Sequence, residues 1–427
     1  MALLRFPHGL VGCVTLAAAL AACNGNGDAT GSESDGESES AGTDTGGLPE
    51  GCDAFIEPSD DDQTAVQGAL IDAAEGATVC LGAGTFHFNT EVTITKTGVT
   101  LRGAGATETI LDFSMQDLGA NGVLITADDV IIEHLQVLDS AGDGIRANDV
   151  LNITFRDMGV EWTADASLDN GAYGLYPVGC TGVTIQRAWV KGARDAGVYV
   201  GQSTKILVED SEAYGNVAGI EIENSTDATV RNNHAHDNTA GLLIFNLPGL
   251  PVKDGKRTNA YGNNLENNNL ANFAEKGTIV AEVPYGIGLL ILASDGNEIH
   301  DNMISNNESL GVALVSYNTN LFEPYDDPDF DPYAQGNFIH DNAFDGNGTN
   351  PDLLILAISG NMDPPMPDIV DDGCSDPALM NVDNALTNCL SNNGAATFYM
   401  AAMCGGSPSD DINAVTCTHA NLPDLPE

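Results

Sequence analysis

The sequence predicts an all-β chain, a right-handed single-stranded parallel β-helix of roughly 22-residue coils with an N-terminal capping helix and a Cys-rich C-terminal extension. Three observations predict it. The lines GVYVGQSTKILVEDSEAYGNVA (197–218) and GIEIENSTDATVRNNHAHDNTA (219–240) match class for class. Within each line, apolar and polar residues alternate over three to five positions, the period of a strand and not of a helix. Turns fall at the same place in each repeat, and 48 Gly with only 6% aromatics among 427 residues suit a chain made of many tight turns.

The repeat extends both ways. Gly144, Gly174, Gly241, Gly288 and Gly311 open further coils, and VTITKTGVTLRGAG and NGVLITADDVIIEHLQVLDSAGDG are earlier, less regular ones. The position after each Gly reads Ile145, Leu175, Val198, Ile220, Leu242, Leu289, Val312. Two residues on it reads Ala147, Pro177, Val200, Ile222, Ile244, Ile291, Leu314. These two columns are expected to fill the interior. Asn232, Asn233, Asn302, Asn306, Asn307 and Asn342 fall at turns, where Asn adopts left-handed geometry and forms side-chain amide ladders.

Four domains are expected along the chain. Residues 1–22 read as a lipoprotein signal peptide: Arg5 begins a short basic region, an apolar run follows, and Leu20-Ala21-Ala22-Cys23 resembles a bacterial lipobox. That motif predicts lipidation of Cys23, and the apolar run is too short to span a bilayer. Residues 23–50 are an acidic tether without a large apolar residue before Leu48. Residues 51–350 form the β-helix, and 351–427 a Cys-rich C-terminal cap or extension. The spacing of Val66, Ala69, Leu70, Ala73 and Ala74 predicts a helix within 59–75, N-capped by Ser59 or Asp60, that covers the open end of the solenoid.

Beyond Cys13 and Cys23 the chain holds Cys52, Cys80, Cys180, Cys374, Cys389, Cys404 and Cys417, an odd number consistent with export. Cys52 with Cys80 would pin the cap. The last four allow three pairings, and Cys180 at a turn is the candidate free thiol. Two stretches depart from the repeat: 247–283, with the cationic spot Lys253, Lys256 and Arg257, and 318–335. In the second, Asp327, Asp329 and Asp331 alternate as calcium-binding acids do, without the Gly and Glu of an EF-hand, so Ca2+ is the candidate cation.

The lipobox, capping helix, LGAGTF, VTLRGAG and tandem coils together resemble the bacterial parallel β-helix repeat lipoproteins of the pectate-lyase-like superfamily. NNLENNNLANFAEKGTIVAEVPYGIGLLIL and VALVSYN look like that family's more particular segments, and the resemblance runs from about Cys52 to Pro351. It implies the fold and an exported, lipid-anchored location on a bacterial membrane, periplasmic or cell-surface side, often beside a second exported protein. It carries no established activity. Catalytic patterns of better-understood relatives are missing: there is no RxPxxR, no GHG or RIK to accompany Asp128-Asp129, and no DPHD.

A net charge of −48 with 14 Lys+Arg excludes nucleic acid as a partner class and disfavours long polyanions. Between the two interior columns lies one expected to point outward: Arg146, Tyr176, Tyr199, Glu221, Leu243, Leu290, Ala313. A cation, two tyrosines and a carboxylate in line are what a sugar chain needs, rings to stack on and groups for its hydroxyls. A second outward column carries Trp189, Glu212 and His234, with Lys191, Tyr214 and His236 two residues on. Arg146, Tyr176, Tyr199, Glu221 and Trp189 are therefore the substrate-binding candidates. Glu221, His234 and His236 are the acid–base candidates, the histidines (with Asp237) also metal-capable. The expected function is carbohydrate binding on one solenoid face, with processing by a lyase, epimerase or hydrolase. The competing expectation is a non-catalytic scaffold or adhesin that engages a protein through its inserted loops.

Overall fold

The computed structural model describes residues 48–317, 322–359, 362–378 and 386–424. The lipobox with Cys23 and the tether up to residue 47 lie outside the described residues. The rest coils through about 13 turns. Among the described residues the strands form three parallel sheets of 12, 11 and 10 strands, and a regular coil adds one strand to each. One such coil is Ala196–Gly201, Thr204–Glu209 and Glu212–Tyr214; the next is Ala218–Glu223, Thr226–Arg231 and His234–His236.

Register follows the predicted columns. Val198 pairs with Ile220, then Leu242, Leu289, Val312 and Ile369 continue the same line. These side chains are buried in one continuous core. At the corners the buried amides must find partners in the adjacent coils, and asparagine provides both donor and acceptor along the stack. Asn216, Asn238, Asn268, Asn307 and Asn347 form one ladder, each Nδ2 donating to the next Oδ1 at 3.0–3.2 Å. Asn233, Asn263, Asn302, Asn342 and Asn393 form a second at 2.9–3.1 Å. Asn297, Asn337 and Asn388 form a third. Asn232 and Asn306, beside the ladders, hold the left-handed turns at φ 55°.

The cap is helix α1, Asp62–Asp72, which seats Val66 and Leu70 on the first coil. Its N-cap is Asp61, not Ser59 or Asp60; Ser59 instead donates its N–H to Asp62 at 2.6 Å. Ala74 falls beyond the helix and is exposed. Cys52 and Cys80 are bonded as expected, and Cys180 is free and buried. The C-terminal pairs are Cys374–Cys404 and Cys389–Cys417.

Two expectations about organisation need correction. The β-helix does not stop at residue 350: within the Cys-rich extension, Ile369–Asp371 and Phe398–Met400 lengthen the 11-stranded sheet, and Cys389–Ser391 the 12-stranded one. Nor is 247–283 a single inserted loop. It contains an ordinary pair of coil strands, Lys256–Tyr261 and Asn264–Glu266, flanked by loops on either side. Its cations are committed to neighbours: Lys253 to Asp327, Lys256 to Asp254, Arg257 to Asp227.

The ladders make a direct prediction. Asn263 accepts from the backbone N–H and Nδ2 of Asn233 and donates to Val230 O and Asn302 Oδ1. Asn263→Ala strands several buried groups and is expected to cost about 3 kcal/mol or more in denaturant unfolding. Asn264→Ala removes a side chain whose Oδ1 is already unpaired, and is expected to stay within about 1 kcal/mol. Equal costs for the two would contradict the ladder's role.

Candidate functional site

The outward side of the 11-stranded sheet is not an open surface. The predicted column is in register: Arg146 beside Tyr176, and Tyr199, Glu221, Leu243, Leu290 and Ala313 in sequence. From Tyr199 on it is buried beneath a second apolar layer, in which Phe245, Leu290 and Tyr317 pack with Val280, Val283 and Phe330 of the loops and with Ile355. Ile355 belongs to a second short helix, α2, Leu353–Ile358. An apolar cavity of about 170 Å3 lies within this layer, between Leu290 and Val315 on the sheet and Ile279, Pro284, Phe322 and Ile355 above it.

This burial corrects two site expectations. Tyr199 does not offer its ring to solvent: it is 5% exposed, and its hydroxyl donates to Glu223 Oε1 at 2.6 Å. Glu221 is 2% exposed and is not an outward-facing surface carboxylate. Gly201 makes the Tyr199 arrangement possible, because a Cβ there would overlap the Tyr199 phenol. Tyr173 completes the group, its ring centroid 4.4 Å from Tyr176 and 4.7 Å from Tyr199. Arg146 lies over the Tyr176 ring, Cζ 4.7 Å from the centroid, and donates Nε to Asn148. Tyr173, Tyr176 and Arg146 remain partly exposed and form the rim.

Under this rim sit carboxyl groups whose hold on a proton burial strengthens. Burial and the charge of Glu223 push Asp195 up to about 7, against a hydrogen bond from Tyr173 that lowers it. Burial raises Glu223 to about 7 despite the Tyr199 hydroxyl. Glu221 is raised well above the ordinary carboxylate range by burial and by the charges of Glu223 and Asp195. Asp143 at the rim is raised to about 6 by burial, with Arg146 opposing. Like charges in one buried site cannot all ionise together, so at neutral pH the group holds at least one transferable proton. Glu221 Oε2 has no hydrogen-bond partner among the described residues. Arg194 ties the site's edge to a covering loop through Glu275 at 2.5 Å.

Sequence reading missed Asp143, Tyr173, Asp195 and Glu223. A signal existed for Glu223: it lies two residues past Glu221 on the same strand, and so on the same face.

The other candidates lie elsewhere. Trp189, Glu212, His234 and His236 belong to the 10-stranded sheet, so Glu221 does not join the histidines and Trp189 does not join the tyrosines. Trp189 covers Gly159, where a Cβ would overlap its indole. Asp327, Asp329 and Asp331 do not converge as a calcium loop. Asp327 accepts from Lys253 at 2.5 Å and from the Gly249 N–H at 2.8 Å, and Asp331 caps the Tyr333 N–H. His300 and His340 each bond the following Asp, at 2.7 Å in both coils, as recurring turn features.

The profile for the right-handed β-helix region matches residues 121–278 and 173–406, more than half of the chain. The chain belongs to the right-handed β-helix family. The right-handed β-helix architecture recurs in solved structures. The A-module of the Azotobacter vinelandii mannuronan C-5 epimerase AlgE6 superposes with a TM-score of 0.53 at 16% identity, covering 79% of this chain and 91% of that one. The AlgE4 A-module from the same organism gives 0.39 at 16% identity, over 69% and 94%. Pectate lyase Pel9A gives 0.40 at 15% identity, over 71% and 68%. No curated protein matches the chain. At such identities the β-helix family members share the fold, and the site must be argued from this chain's own residues.

The raised carboxyls fix how stability depends on pH. A carboxyl whose folded pKa is raised contributes stability that is complete below its unfolded value, near 4, and is lost as pH rises through the folded value. Asp195 and Glu223 at about 7, with Asp295 at about 7 and Asp371 at about 6 elsewhere in the chain, place that loss between about pH 4 and 7. The melting temperature is therefore expected to fall over this range. Glu221→Leu, which installs the residue that the next coils use, is expected to raise it at pH 8 by roughly 5 °C and to flatten the slope. A rising profile in the wild type would contradict these assignments.

Proposed function

We propose that the chain is an exported carbohydrate-active protein that binds a neutral glycan at the rim formed by Arg146, Tyr173 and Tyr176. Asp195, Glu221 and Glu223 supply the acid–base chemistry that processes it. The observation that carries this reading is Glu221. The same column holds Leu243 and Leu290 in the next coils, so folding alone favours an apolar residue, yet the chain keeps a buried carboxyl with an unpaired oxygen. Buried carboxyls held neutral near pH 7 can give a proton to a leaving oxygen while an ionised neighbour accepts one. The half-exposed tyrosines and Arg146 offer a stacking face and donors for hydroxyls. A charge of −48 favours an uncharged glycan over a polyuronate.

The proposal includes anchoring through lipid on Cys23, with the solenoid held at a bacterial membrane. Among the described residues no helix is long and apolar enough to cross a membrane. The scaffold alternative needs loops free to meet a partner. Lys253–Asp327 and Arg194–Glu275 instead tie them to each other and to the coils, which favours the glycan reading.

A panel of neutral and uronate oligosaccharides, assayed for binding and turnover, tests the proposal. A neutral member is expected to be turned over, and Glu221→Gln should lower kcat by about a hundredfold or more while binding changes only a fewfold. Turnover untouched by Glu221→Gln, or no glycan bound at all, would overturn it.

A further inference from the structure

The outward side of the 10-stranded sheet carries a grouping that the glycan reading does not use. Glu212 stands on the strand Glu212–Tyr214, and His234 and His236 on the next, His234–His236. Register sets Glu212 beside His234 and Tyr214 beside His236, and residues two apart on a strand share a face. The two imidazoles therefore project from one strand, ring centroids 4.1 Å apart, with the Glu212 carboxylate reaching across from the preceding coil. One ligand atom from each of the three lies within 4.8 Å of the others.

We propose that Glu212, His234 and His236 form a binding site for a divalent cation of the zinc class. The donor set decides the class. Two imidazole nitrogens and one carboxylate suit Zn2+ and its transition-metal neighbours, whereas Ca2+ and Mg2+ take oxygen ligands. The distances are close to what such an ion needs. Zinc bonds of about 2.0–2.2 Å at tetrahedral angles separate ligand atoms by roughly 3.3 Å. His236 Nε2 and Glu212 Oε1 are 3.0 Å apart, so a shift of a few tenths of an ångström admits the ion.

The surrounding contacts match those that orient metal-bound histidines. His236 Nδ1 bonds Asp237 Oδ2 at 2.7 Å, which fixes the ring and directs Nε2 toward Glu212. His234 Nε2 bonds Glu266 Oε1 at 2.8 Å, and Asn264 Nδ2 holds that carboxylate at 2.9 Å. Glu266, one coil further on, stands outside the three-donor grouping and holds the His234 ring in place. The His–Asp pair alone does not mark the site, since His300–Asp301 and His340–Asp341 repeat it. Those two histidines stand on the 12-stranded sheet, one to a strand, whereas His234 and His236 share one strand of the 10-stranded sheet. Two imidazoles from one strand with a carboxylate within reach of both are what set this grouping apart among the described residues.

The test is equilibrium dialysis of the purified full-length chain against Zn2+ in excess Ca2+, which saturates nonspecific carboxylate binding, with bound metal counted and thermal melting followed. One zinc ion per chain is expected, with a rise in melting temperature. His234→Ala and His236→Ala should each weaken zinc binding by roughly a hundredfold with the metal-free melting curve little changed, because both side chains lie outside the apolar core. Asp237→Asn, which keeps both histidines but loses the orienting carboxylate, should weaken it by about tenfold. Failure to retain zinc in excess calcium, or retention unaffected by either histidine substitution, would overturn the proposal.

Discussion

The constraint on which the molecule depends is in-register stacking of coils. Each position of one coil lies beside the same position of the next, at the strand spacing of about 4.8 Å. A residue type is therefore chosen for a whole column, and a polar group buried in the stack can be satisfied only along the column axis. Asparagine solves this at the corners because its side chain accepts from the coil on one side and donates to the other. In the earlier coils serine fills only the acceptor half of this role. Ser203 and Ser225 each accept a backbone N–H at 2.9 Å from the coil before. The aliphatic interior supplies the free energy of folding, and the ladders remove the penalty of turning the chain three times per coil.

The same constraint makes departures from a column informative. On the outward side of the 11-stranded sheet the column passes from Arg146 and tyrosine through Glu221 to Leu243 and Leu290. The apolar half is explained by the loops and α2 that cover it. The carboxyl half gains nothing from cover, since burial raises the free energy of every ionised group there. Asp195, Glu221 and Glu223 thus form a region where the fold gives up stability in an otherwise regular stack, and the proposed function rests on that departure. The Tyr199–Glu223 bond and the missing side chain at Gly201 show that this region is built by specific fits.

Period and alternation made much of this legible in the sequence. The interior columns, the Asn corners, the cap and the free Cys180 follow from the 22-residue repeat and cysteine parity. Which face of the solenoid is covered did not, although GLLIF, GLLIL and GVALV carried the clue. Continuous apolar runs are what strands buried on both sides look like. The coil inside 247–283 went unseen because Lys256–Tyr261 carries Thr258 and Ala260 at its inward positions, a weaker apolar signal than Ile206 and Val208 two coils earlier. Asp195 and Tyr173 were out of reach for a different reason. They enter the site from the ends of strands, where side-chain direction is set by the turn and not by the repeat.

The most direct measurement is a carboxyl titration of the folded chain by 13C NMR, with Glu223 and Asp195 assigned through Glu223→Gln and Asp195→Asn. Midpoints near 7 for both groups, with the Glu223 signal also perturbed in Tyr199→Phe, are the predicted result. Midpoints near 4, the range of solvent-exposed carboxylates, would contradict a buried, proton-holding site on this face.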